Sequence, residues 1–227
     1  MAILREERIG NQRLLLGDCL SILPEVAGEC GAILTDPPYG IASKWQGGSG
    51  HGWGKAREQT EARNEWDDSP PPDALVWSWR KTEAPAIIWG GNYFDLGPAR
   101  GLLVWNKPER NFSLSEAEIA WTNIDMRMRV FDHPRSEHGR VHPTQKPLAL
   151  MAWCLGFLPK GATVLDPYMG SGTTLLACER AGRRGIGIER DPQWFEVACR
   201  RVDEAARQPD LLIPETRPQP TQEGLDL

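Results

Sequence analysis

The run Thr35-Asp36-Pro37-Pro38-Tyr39-Gly40 sets a carboxylate, a rigid turn and an aromatic ring side by side. An amine conjugated to a ring is a poor nucleophile, because its lone pair is delocalised. Two acceptors on its hydrogens pull the nitrogen toward tetrahedral geometry and localise that pair. The carboxylate of Asp36 and the backbone carbonyl of Pro37 are suited to the task, with Pro37 and Pro38 holding the turn stiff. Tyr39 offers a face on which a base turned out of a nucleic-acid stack would rest. A plain structural turn explains the two prolines but not the acid and the aromatic beside them.

A second run, Asp166-Pro167-Tyr168-Met169-Gly170-Ser171-Gly172-Thr173-Thr174, follows an apolar strand pattern and precedes a helical one. Its glycines allow backbone to approach a ligand closely. A dinucleotide fingerprint would want glycine at position 175, where Leu175 stands, and no Gly-Lys-Ser/Thr run of a nucleotide-triphosphate loop exists. Glu189, 23 residues after Asp166, ends the next strand, where an acid that binds ribose hydroxyls belongs.

The elements that must position these residues read as an α/β sheet of seven strands, at residues 12–17, 31–35, 86–90, 102–105, 118–122, 162–165 and 185–188. The strands around Val104 and Ala120 are expected to form an antiparallel hairpin at one edge. Leu148, Met151, Leu155 and Leu158 recur at helical spacing after Pro147. Phe195, Ala198, Val202 and Ala205 do so after Asp191, a good N-cap with Pro192 in the first helical position. Four strands end in an acid: Asp18, Asp36, Asp166 and Glu189. In an open parallel sheet, ligands bind beyond the carboxyl ends of the strands, so the four together outline a site.

The rest of the chain bounds the answer. Its 227 residues suit one domain, 1–206, with a mobile loop at 43–72 and a disordered, proline-rich tail at 207–227. No apolar run is long enough to span a bilayer, and a cytoplasmic location is the expectation. Five cysteines without a close pair read as reduced core residues, and no metal is expected. The net charge of −5 argues against a protein that coats nucleic acid non-specifically, and leaves room for a local basic face.

Asp36-Pro-Pro-Tyr39, the glycine loop and the run His142-Pro-Thr-Gln-Lys-Pro147 resemble the amino-methyltransferases of DNA. They are most similar to the permuted (beta) class, in which the catalytic tetrapeptide precedes the cofactor loop. The glycine loop here follows the sixth strand of seven, in keeping with that order. The resemblance implies a Rossmann-like sheet with one antiparallel strand near an edge, and S-adenosyl-L-methionine as cofactor. By position, Asp18 would contact the cofactor's adenine and Glu189 its ribose. Asp166, Gly170 and Gly172 would line its methionine end, with Gln145 and Lys146 as helpers. Asp36, Pro37, Pro38 and Tyr39 would hold the target base. Members with Asp at the first position mostly modify adenine N6, and those with Ser mostly cytosine N4.

The family's target-recognition slot is short here, at residues 125–141, but it holds Arg127, Arg129, Arg135 and Arg140 as candidate phosphate contacts on DNA. A second subunit, as in a homodimer, or the 43–72 loop would then share recognition. Methyltransferases of RNA or protein amines, which usually carry Asn before Pro-Pro, are the first rival reading. A DNA-binding domain without chemistry is the second. No Cys follows a Pro, which closes the cytosine-C5 route.

Overall fold

Ile33 and Leu34 are neighbours in one strand, and they pack into different hydrophobic clusters on opposite faces of the sheet. That alternation sets the layers. The structure, a computed structural model, describes residues 2–41, 70–110, 115–135 and 145–207. Nine strands run through it: β1 (Arg5–Ile9), β2 (Gln12–Leu16), β3 (Ala32–Thr35), β4 (Ala86–Trp89), β5 (Gly101–Asn106), β6 (Ala117–Thr122), β7 (Arg129–Asp132), β8 (Val164–Asp166) and β9 (Gly185–Glu189). They form one sheet in the order β1-β2-β9-β8-β3-β4-β6-β5-β7.

The five strands β2, β9, β8, β3 and β4 are parallel, and β6 runs antiparallel to both its neighbours, β4 and β5. The expected hairpin of β5 and β6 is therefore present. α1 (Cys19–Val26) and α2 (Asp73–Lys81) cover one face, packing Ile22, Val26, Leu75 and Trp79 on Leu15, Ile33 and Ile88. On the other, α3 (Leu148–Leu155) and α4 (Thr173–Arg180) pack Leu150, Cys154 and Cys178 on Leu34, Ile87 and Trp89. α5 (Pro192–Arg207) lays Phe195, Ala198 and Val202 against Leu14 and Leu175. It starts at Asp191, whose Oδ1 accepts from the N–H groups of Gln193 and Trp194 at 2.7 and 3.3 Å. All five cysteines are free thiols, four of them buried.

The sheet has two strands more than the seven expected, both at its edges. β1 carries Arg5-Glu6-Glu7-Arg8 and lacks an apolar alternation; its antiparallel ladder to β2 and the Arg13–Glu6 ion pair at 3.1 Å hold it. β7 falls in the arginine-rich stretch, paired parallel to β5 along Leu103↔Arg129 to Asn106↔Asp132. Neither has a buried face to announce it. The domain's last helix runs to Arg207. Most of the 43–72 loop (residues 43–69), Arg140 and the tail from residue 208 lie outside the described residues.

Candidate active site

Asp18, Asp36, Asp166 and Glu189 stand at the carboxyl ends of β2, β3, β8 and β9, adjacent parallel strands. All four line one cavity of about 430 Å³. The glycine loop forms part of its wall. Gly172 has φ +79°, and a Cβ on it would come within 2.9 Å of the Ala198 Cβ, so the loop can seat against α5 only with glycine there.

Glu189 is held by that loop. Its Oε2 accepts from Gly170 N–H at 3.0 Å and its Oε1 from Asp191 N–H at 2.8 Å. Burial pushes its carboxyl above the ordinary range, and the backbone hydrogen bonds pull against that. Its two oxygens have more acceptor sites than these backbone donors fill, which leaves room for ligand hydroxyls. Trp194 adds a flat apolar side to the same cavity. Asp18 lines the cavity too, but one of its oxygens caps α1, accepting from Ser21 N–H at 3.0 Å and Ser21 Oγ at 2.9 Å. Asp166 is buried and accepts from Thr35 Oγ1 at 2.8 Å and Tyr168 N–H at 3.1 Å.

The Asp36 turn is braced from two sides. Lys146 Nζ donates to Asp36 Oδ1 and Oδ2 at 2.7 and 2.8 Å, and the Tyr39 hydroxyl donates to Oδ1 at 2.6 Å. Burial raises the Asp36 carboxyl, while the Lys146 ammonium draws it back. The Tyr39 ring stacks on Tyr93, centroids 4.8 Å apart and 18° from parallel. It also fills the space a side chain on Gly90 would take. Pro38 lies on the cavity wall, whereas Pro37 is buried behind it.

Behind Lys146 stands a pair that composition and spacing did not single out. Glu118 Oε2 forms an ion pair with Lys146 Nζ at 2.9 Å, without the alignment of a hydrogen bond, and Lys107 Nζ donates to Glu118 Oε1. Topology explains the meeting. β6 is antiparallel, so Glu118 near its start reaches the same edge as the ends of β3 and β5. The available signal was an acid inside an apolar strand run, Ala117-Glu118-Ile119-Ala120-Trp121.

Gln145 and Lys146 both line the cavity. Of the predicted arginines, the three among the described residues do not line it. Arg127 and Arg129 are exposed where the chain enters β7, at the amino side of the sheet, because β7 runs parallel to β5. Arg135 leaves β7 at the carboxyl edge, where its Nη2 donates to Ser115 O at 2.6 Å. Among the described residues no cluster of His, Cys, Asp or Glu could hold a metal ion, and no helix is long and apolar enough to cross a membrane.

The sheet that carries this glycine loop, the acid on the adjacent strand and the braced Asp-Pro-Pro-Tyr turn has the architecture of a Rossmann-like methyltransferase. The chain belongs to the N6/N4 DNA methylase family, which its residues 56–200 match. That family takes its methyl group from S-adenosyl-L-methionine. Over 206 residues the chain is 29% identical to YubD of Escherichia coli K12, a protein named as a methylase, covering 84% of this chain and 89% of that one. The fold matches M1.HpyAVI in complex with S-adenosylmethionine (TM-score 0.57, 21% identity, 85% of this chain and 99% of that one). It also matches the cytosine-N4-specific PvuII DNA methyltransferase (TM-score 0.56, 14% identity, 90% and 95%).

Proposed function

We propose that this protein methylates the N6 amino group of adenine in DNA, using S-adenosyl-L-methionine bound in the cavity between Glu189, the glycine loop and Asp36. One observation carries the reading: the braced Asp36 carboxylate opens into the same cavity as Glu189. The residues present suit the cofactor, with Glu189 offering acceptor oxygens to ribose hydroxyls, Trp194 an apolar side, and Asp166 and the glycine loop the methionine end. Bound there, the cofactor supplies a sulfonium methyl group as electrophile.

The protein's own part is to hold and prepare the amine. Asp36 accepts one amine hydrogen and the Pro37 carbonyl the other, which localises the nitrogen lone pair toward the methyl carbon. With the bound cofactor supplying the methyl group and leaving as the neutral thioether, Asp36 would take the proton that the amine gives up. Tyr39 keeps the base in plane. No covalent enzyme intermediate is required. The permuted chain order belongs to this reading: β8, which carries the glycine loop, lies centrally between β9 and β3 although it comes eighth in the chain.

Cytosine N4 presents the same conjugated amine, and the chemistry of a carboxylate serves both; the resemblance to family members with Asp at the head of the tetrapeptide is what favours adenine. Mass analysis of nucleosides from DNA of cells expressing the protein decides it. N6-methyladenine is the expected product, absent with Asp36→Ala. N4-methylcytosine in its place would reverse the base assignment, and neither modification would remove the DNA reading.

A further inference from the structure

Counting lone pairs on Asp36 leaves little choice. A carboxylate has about four acceptor sites, two per oxygen. Oδ1 accepts from both Lys146 and Tyr39, so it is filled; Oδ2 accepts from Lys146 alone. We propose that Lys146 is a positioning residue, seated on Glu118 and Lys107, that turns the Asp36 carboxylate so that Oδ2 alone is left to receive the target amine. This rests on the methyltransferase reading above.

The seat is built as alternating charge. Asp36, Lys146, Glu118 and Lys107 follow one another, and the two lysines are 7% and 4% exposed. Two anions face two cations, so the row is neutral as a whole. Lys146 also lies over the rings of Tyr39 and Trp89, at 5.5 and 5.8 Å from their centroids, and Lys107 over that of Trp105 at 4.5 Å. An ammonium confined this way has few positions open to it, and the carboxylate it grips inherits that order. Glu118 holds the Lys146 ammonium at 2.9 Å while that ammonium grips Asp36, which is what a part that positions another requires. The neighbours that set the charge of Asp36 are Lys146 before α3, Tyr39 on its own turn, Glu118 on β6 with Lys107 after β5, and Asp166 on β8.

Lys146 and Glu118 push Asp36 in opposite directions, and this makes the test specific. Single-turnover methyl transfer to duplex DNA is followed against pH with cofactor and DNA saturating, so that the acid limb reports the bound complex. Lys146→Met should lower the rate about 100-fold at neutral pH. Its acid limb should move to higher pH, since Asp36 then faces Glu118 with no cation between them. Lys146→Arg should recover part of the rate and most of the shift. Glu118→Gln should slow the reaction but move the limb to lower pH, because a like charge is gone. Cofactor affinity, measured by calorimetry, should stay within about threefold in all three.

A uniform loss at every pH would overturn the proposal. So would a fall in cofactor affinity that parallels the rate, which would make Lys146 a cofactor ligand instead. Should Lys146→Met fail to fold, Glu118→Gln alone decides: a limb that stays or rises refutes the idea. Wild-type protein without methyl transfer to DNA would refute the function reading, a different and separately visible outcome.

Discussion

Thr35 donates its hydroxyl to Oδ1 of Asp166 at 2.8 Å, tying the strand that ends in the Asp-Pro-Pro-Tyr turn to the strand that ends in the glycine loop. Burial pushes the Asp166 carboxyl from 3.8 up to about 6, against hydrogen bonds from Thr174, Thr35 and the Tyr168 N–H. A folded value above the unfolded one means that folding favours the protonated acid. That stabilisation is complete below about 3.8 and is lost as pH rises through about 6. Asp166→Asn keeps an acceptor for Thr35 and cannot ionise. Relative to wild type it should gain on the order of 2–3 kcal/mol in denaturant unfolding between about pH 4 and 7. A difference that stays constant across that range would show Asp166 to be ordinary.

Glu189→Ala should weaken cofactor binding by roughly 1.5–3 kcal/mol for each charge-assisted hydrogen bond lost. The same change strips Gly170 N–H and Asp191 N–H of their acceptor, so the loop itself should loosen. Glu189→Gln, which keeps an acceptor oxygen, should lose less. Calorimetry with S-adenosylmethionine measures both, and equal affinity for wild type and alanine variant would remove Glu189 from the cofactor site.

Tyr39→Phe gives up one hydrogen bond to Asp36 while Lys146 still grips both oxygens, so the rate should fall only a few-fold, about 1 kcal/mol. Tyr39→Ala loses the ring as well and should be severe. Gly90→Ala tests the same ring from outside. With φ +70° and the Tyr39 ring in its place, a side chain there must displace Tyr39. Methyl transfer should drop while cofactor affinity holds. A Gly90→Ala enzyme with full turnover would show that the position of the ring does not matter.

The arginines divide by their place on β7. Arg135, at the carboxyl edge beside the Lys107 end of the charge row, is the better placed for a phosphate. Arg135→Ala should flatten the salt dependence of DNA affinity by roughly one unit. Arg127 and Arg129, entering β7 from the other side, should change that slope less when removed together. The reverse ranking in filter-binding titrations would place DNA along the amino side of this edge strand.

Seven of the nine strands, the helices after Pro147 and Asp191, and the acids at the strand ends were legible in the chain. Each leaves a local mark: an apolar run, a cap, or a carboxylate where a strand stops. The Asp-Pro-Pro-Tyr turn and the glycine loop were legible for a like reason, since their chemistry is packed into consecutive residues. Edge strands β1 and β7 bury no full face, so their composition is that of a solvated surface, and only pairing to β2 and β5 makes them strands. Lys146 stood out by its motif, yet its partner could not be read from it, because Asp36 and Lys146 are 110 residues apart. Glu118 and Lys107 left almost no mark. It is the antiparallel run of β6, decided by packing across the whole sheet, that carries Glu118 to the carboxyl edge and turns four scattered charges into one row.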